Sequence, residues 1–391
     1  MLSRTLSRFP LAVIVAAQFL GTSLWFSVNG VGLSLSQELG LTETDLGRLT
    51  MATQAGFILG TLTLAATGLA DRFRASLVFT LAAVLGAVCN GAFVLAAPHP
   101  GFSLWMRFAT GLCLAGIYPL GMKLVISWTP RHTGAALAWL VGMLTLGTAA
   151  PHLLRGATLG LPWQWPLLLA SALALLAALL IRALGDGPHL PPPAAKQRLR
   201  DGFAAFRNQD FRAAAFGYFG HCWELYAFWT LTPLLVAREL DRLGGGQGLV
   251  PWGAFLVIAL GLLGCVYGGA VSRRRGSLWV ARAALAASGL LCLLYPLLGS
   301  LSPFILLALL LFWGFFVIAD SPQLSALAAA SAPRERVGST LAVMNAVGFA
   351  LTIPAIYLVS ELWSEWDLRV AWLLLPGPLV GLFYLFRGRP E

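Results

Sequence analysis

The sequence predicts an all-α integral membrane protein with twelve transmembrane helices in two homologous six-helix bundles. Three observations carry that prediction: a composition poor in charge, twelve apolar runs of spanning length, and an internal repeat. Hydrophobic residues make up 58% of the 391-residue chain and charged ones 11%, with a mean hydropathy of +0.79. Soluble domains carry about 25% charged residues, so this chain cannot cover a soluble surface and takes lipid as its solvent. A spanning helix needs about 20 mostly apolar residues. The runs lie near 10–35, 45–70, 76–97, 102–127, 133–158, 164–184, 211–236, 250–271, 278–299, 301–328, 337–361 and 367–387. Only helices or closed barrels satisfy their backbone in lipid, and strand-like alternation is absent, so the runs are read as helices.

The first run starts basic, "MLSRTLSRFPLAVIVAAQFLG", and continues past Trp25 with no small-residue cleavage site. That marks a membrane helix rather than a signal peptide. The second and third runs are joined by "GLADRFRASL", and "GAVSRRRGSL" joins the eighth and ninth at an offset of 201. Inside the fourth run, "YPLGMKLVISWTPR" matches "SPQLSALAAASAPR" of the tenth at an offset of 203, each with a Pro eleven residues before a Pro-Arg exit. The longest polar connection, Leu184 to Asp210, holds a "PPP" spacer and a basic stretch expected to lie as a short helix on the membrane surface. It divides the chain into a bundle over 1–184, a linker over 185–210 and a bundle over 211–391. Trp105, Trp128, Trp163, Trp165, Trp252, Trp363 and Trp366 lie near run ends and read as interfacial anchors.

Nineteen of the 26 Lys and Arg residues fall on the side that holds both termini. The positive-inside rule makes that side cytoplasmic, and the net charge of +10 becomes a topology signal and an attraction to anionic lipid, not a nucleic-acid footprint. The five cysteines sit in apolar runs without CxxC spacing, so neither disulfides, nor a metal site, nor a cofactor is expected. Parallel repeats on either side of a linker are a plan of secondary transporters, with the solute site near the midplane between the halves.

At "GLADRF", Gly68 to Phe73, the chain resembles the major facilitator superfamily, over nearly its whole length. The resemblance implies a cytoplasmic gate latch at Asp71 and Arg72; in the second copy Ser272 replaces the acid. "GHCWELYAFW" and "DSPQLSAL" resemble a bacterial group near the nitrate and cyanate carriers, although the paired Gly- and Asn-rich helices of nitrate carriers are absent. "RFATGLCLAG" resembles the Arg-x-x-x-Gly pattern of proton-driven facilitators. "GMLTLGTAAPHLLRG" lacks the Gly-Pro-x-x-Gly-Gly ending of antiporters, which points to uptake.

Gly217, His221, Glu224 and Phe228 recur at i, i+4, i+7 and i+11, one face of the seventh helix. The resemblance implies that this helix lines the cavity. A charge near mid-membrane costs at least about 2.5–3.5 kcal/mol, so Glu224 and His221 are read as a proton-exchanging pair, with Asp320 beside Pro322 as a second proton site or a cation-binding group. Arg155 and Arg107 suit an anionic or zwitterionic solute, because a guanidinium can clamp a carboxylate bidentately. His152, Asn29, Trp25, Tyr118, Tyr226, Trp229, Gln323 and Asn345 complete the expected binding residues.

The expected protein is a monomeric, proton-coupled secondary transporter of the bacterial cytoplasmic membrane, with proton or sodium as coupling ion. The alternative is a proton-driven exporter of lipophilic cations, for which Glu224 would be the cation receptor. A non-transport membrane protein is the remote third reading. An enzyme is not expected, since neither HExxH nor Gly-x-Ser-x-Gly occurs.

Overall fold

The computed structural model describes residues 6–129, 133–189, 199–333 and 337–388, and among these there is helix and no strand. The helices follow the predicted order. α1 is broken into Pro10–Thr22, Ser27–Gly30 and Gly32–Leu39; α2 is Glu43–Thr67 and α3 Ala75–Ala96. α4 is Pro100–Leu114 and Tyr118–Trp128, α5 Thr133–Ala157, and α6 Gln164–Leu184. In the second half α7 is Gln209–Arg242, α8 Val250–Arg275, and α9 Ser277–Leu297. α10 is Pro303–Phe316 and Ser321–Ser331, α11 Val337–Trp366, and α12 Pro376–Arg387.

Nine helical stretches among the described residues are long and apolar enough to cross a membrane, and one of them, Val337–Arg387, has the length of two spans. The two runs missing from that set have plain reasons. α1 is interrupted at Ser23–Phe26, and α7 carries His221, Glu224, Arg238 and Glu239. Twelve spans are therefore accounted for, and their even number brings both chain ends to one face. That face is called the terminal end here, and the opposite face the distal end.

The repeat read from sequence reappears as matched breaks. The two pieces of α4 begin at Pro100 and Tyr118, and those of α10 at Pro303 and Ser321, the same interval of 203 residues. Pro119 and Pro322 sit in the first turn of the second pieces, where a missing N–H is tolerated while the preceding residues leave the α conformation. Gly111 and Gly314, again 203 apart, each lie so close to a neighbouring helix that a Cβ would strike a backbone carbonyl, of Thr53 and Val257 respectively. Small residues at these points let α4 seat on α2 and α10 on α8.

The halves meet along two lines. α2 contacts α11 from Gly47 against Ser360, at the distal end, to Phe57 against Phe349, whose ring centroids are 4.4 Å apart. α5 contacts α8 from Gly156 against Trp252 to Ala138 against Gly269. The linker divides its loyalty. Asp186 accepts the Ser76 N–H that opens α3 (2.7 Å), and the Ser127 carbonyl accepts the His189 N–H. The expected short helix is present as a 3-10 helix, Leu199–Arg207; Gly202 packs on α11 at Ser339, and Phe206 on Phe211 and Phe219. The "PPP" spacer and the Pro-Arg exits at Arg131 and Arg334 lie outside the described residues.

Candidate functional site

The expected Glu224–His221 pair does not form. Glu224 is 1% exposed, and its carboxylate takes bonds from three side chains of other helices. Ser288 Oγ donates to Oε2 at 2.9 Å, Trp313 Nε1 to Oε1 at 2.8 Å, and Cys292 Sγ to Oε1 at 3.4 Å. Phe228 and Tyr295 pack on the Trp313 ring. The physical reason is desolvation: a buried carboxylate needs donors on every lone pair it exposes, and α9 and α10 offer three where His221 offers one. His221 instead faces Asp320, with Nδ1 2.8 Å from Oδ1, both buried. Neither atom has another hydrogen-bond partner. Asp320 itself sits in the α10 break, at the N-cap of the second piece, without capping it.

The face of α7 that carries Gly217, His221 and Glu224 therefore looks into its own bundle, with Gly217 against Leu324 of α10 and Leu385 of α12. The face toward the first half is aromatic. Trp25 lies 5.8 Å from Tyr226, 5.9 Å from Phe349 and 4.7 Å from Phe57, while Phe26 meets Trp229 edge-on at 5.9 Å. Tyr226 and Trp229 also meet at 5.3 Å. These six buried rings, drawn from α1, α2, α7 and α11, close the seam between the halves. Such pairs contribute about 0.5–1.5 kcal/mol each beyond their burial. Gln54 anchors Trp25 by accepting its indole N–H at 2.9 Å.

Arg107 is placed where it holds protein rather than solute. It is 1% exposed; its NH1 donates to Ser27 Oγ and Asn90 Oδ1, both at 3.0 Å, and its NH2 to the Leu24 and Trp25 carbonyls at 3.2 and 2.7 Å. Those carbonyls belong to the break in α1, where helical partners are missing. Only Arg107 Nε is left without a partner. The guanidinium thus supplies donors that the interrupted helix lacks, next to the two aromatic residues it presents to the seam.

Other predicted residues divide between two levels. Tyr118 and Asn345 are half-buried and Gln323 buried, on the second piece of α4, on α11 and on the second piece of α10. Asn29, His152 and Arg155 lie together at the distal end, around a cavity of about 130 Å³. Arg72 is exposed, and the side chain of Asp71 lies outside the described residues. Among the described residues no cluster of side chains suits a metal ion.

Sequence reasoning missed Ser288, Cys292 and Trp313, and also Glu239. Cys292 stands 202 residues after Asn90, so the repeat offset pairs the ligand of Glu224 with the ligand of Arg107. Glu239 is fully buried between Arg238 and Arg242, and Arg238 also binds Asp367, joining the distal ends of α7 and α11.

The sequence profile described as the Major Facilitator Superfamily matches residues 12–355. Among solved structures, the chain is similar to a bacterial homologue of the human lysosomal transporter Spinster in an inward-facing, unoccupied conformation. The TM-score is 0.68 with 15% identity, covering 97% of this chain and 94% of that one. No curated protein matches significantly by sequence. The chain belongs to the major facilitator superfamily, and its fold is that of secondary transporters.

Proposed function

We propose that this superfamily member is a proton-coupled secondary transporter working by alternating access, with Glu224 as the group that takes and releases the proton. The observation that carries this reading is the composition of the Glu224 site. It is a fully desolvated carboxylate with no cationic partner among the described residues, held by Ser288, Cys292 and Trp313. A hydroxyl and a thiol can reverse from donor to acceptor, so the site tolerates both protonation states without rebuilding. A proton arriving there removes a charge from low dielectric and lowers the cost of moving the bundle. The His221–Asp320 contact, about one turn toward the terminal end, is a second pair able to share a proton.

The side rich in basic residues is read as cytoplasmic, placing both termini inside a bacterial cytoplasmic membrane. The bundles are assigned to 1–184 and 211–391, joined by the linker. Kinship with the nitrate- and cyanate-type carriers rests on the two stretches that hold Glu224 and Asp320. The incomplete antiporter pattern of α5 favours uptake. The solute is read as a small anion or zwitterion, now without help from Arg107, and the transporter as a monomer.

One observation favours a second reading. The seam is walled by Trp25, Phe57, Tyr226, Trp229 and Phe349, and such rings attract organic cations. Export of lipophilic cations driven by protons is then the alternative. Both readings are tested by transport in proteoliposomes with panels of organic anions, zwitterions and lipophilic cations. Glu224→Gln should lose accumulation driven by a pH gradient while keeping solute exchange. Full pH-driven accumulation by that variant would remove Glu224 from the mechanism.

A further inference from the structure

The cavity at the distal end differs in chemistry from the aromatic seam beneath it. Its volume is about 130 Å³. Its walls come from both halves: Asn29 and Gln37 of α1, His152 and Arg155 of α5, Pro233 of α7, and Gln247 just before α8. None of its described lining residues is acidic. Arg155 spends NH1 on the Leu161 carbonyl at 3.0 Å, and a guanidinium has five N–H donors, so capacity remains. His152 is 1% exposed and its Nε2 has no hydrogen-bond partner.

We infer that this cavity is a binding site for a small carboxylate, held by Arg155 and His152 at the distal seam and separate from the Glu224 site. A carboxylate is the ligand that the walls recognise: it is planar, needs donors only, and matches a guanidinium edge. The volume admits a molecule of acetate size. The site belongs to both halves, so it exists in this closed distal arrangement and is taken apart when the distal ends separate. A ligand there binds one conformation better than the other and shifts the population toward it. A carboxylate on the distal side therefore holds the seam shut, whether or not it is itself transported.

The test is a thermal-shift titration of the purified full-length protein in detergent, with sodium acetate as probe. Acetamide, its neutral isostere, and sodium chloride serve as controls. Acetate should stabilise the protein saturably and acetamide should not. Arg155→Gln should weaken the acetate response at least tenfold. Leu159→Trp, which fills the cavity from a partly exposed position without touching its charge, should abolish the response. Glu224→Gln should leave it intact. Equal responses to acetate and acetamide, or an unchanged response in Arg155→Gln and Leu159→Trp, would overturn the site. Loss of the response in Glu224→Gln alone would move the anion to the Glu224 site and also overturn it. Failure of the proton-coupling reading would leave every one of these outcomes unaffected.

Discussion

Replacing Arg107 by Met gives the sharpest test of how the first bundle is built. Met keeps much of the volume and removes all four hydrogen bonds. The Trp25 carbonyl, already outside the helical ladder, then has no donor, and the Leu24 carbonyl and Asn90 Oδ1 are left to share the single Ser27 hydroxyl proton. An orphaned buried acceptor costs about 1–3 kcal/mol, so the Trp25 carbonyl and whichever of the other two acceptors Ser27 does not serve give about 2–6. Part of this is returned because the cation no longer has to be stripped of water. The expected net loss is about 2–4 kcal/mol. Arg107→Lys should fall between, because one ammonium cannot reach the α1 carbonyls and Asn90 of α3 together. The assay is thermal unfolding of detergent-purified protein, followed by size-exclusion monodispersity. An Arg107→Met variant that unfolds with the wild type would refute the clamp and return Arg107 to the solute.

Further expectations follow from other contacts. Asp320→Asn and His221→Leu should each destabilise, since breaking a buried pair costs about 3–5 kcal/mol, while the double variant should cost less than their sum; additive losses would show that the 2.8 Å contact carries no coupling. Asp186→Ala removes the acceptor at the start of α3 and should cost about 0.5–2 kcal/mol in the same unfolding assay. Gly47→Leu should wedge α2 from α11 at Ser360, so a cysteine placed at Asn29 should react faster with a membrane-impermeant thiol reagent than in the Gly47 parent. An unchanged rate would mean that the two helices do not gate the distal end.

Much of the architecture was legible in the residues. Hydropathy located the spans because lipid imposes one rule on all of them, and Pro119 and Pro322 marked the breaks because proline acts on its own neighbours. The α1 break was not legible: no proline marks Ser23–Phe26, and what sustains it is a guanidinium about 80 residues away. The candidate site was legible as a set of residues and illegible as a set of pairs. Helical spacing put His221 and Glu224 on one face, but it could not say which neighbour that face would meet. The partners of Glu224 stand 64, 68 and 89 residues downstream, and two of them, Cys292 and Trp313, read as ordinary core. Glu239 was hidden for a similar reason. Beside Arg238 and Arg242 it reads as an interfacial charge, yet the turn at Gly299–Leu301 folds onto Arg242 and closes it off.

The central claim is that Glu224 gains and loses a proton inside the second bundle, and infrared difference spectroscopy tests it without any knowledge of the solute. Purified protein would be cycled between acidic and alkaline buffer, wild type beside Glu224→Gln and Asp320→Asn. The account predicts a carboxylic C=O band that rises in acid and falls in alkali in the wild type and Asp320→Asn, and is missing in Glu224→Gln. An identical band in Glu224→Gln would contradict it and assign the titrating carboxyl elsewhere.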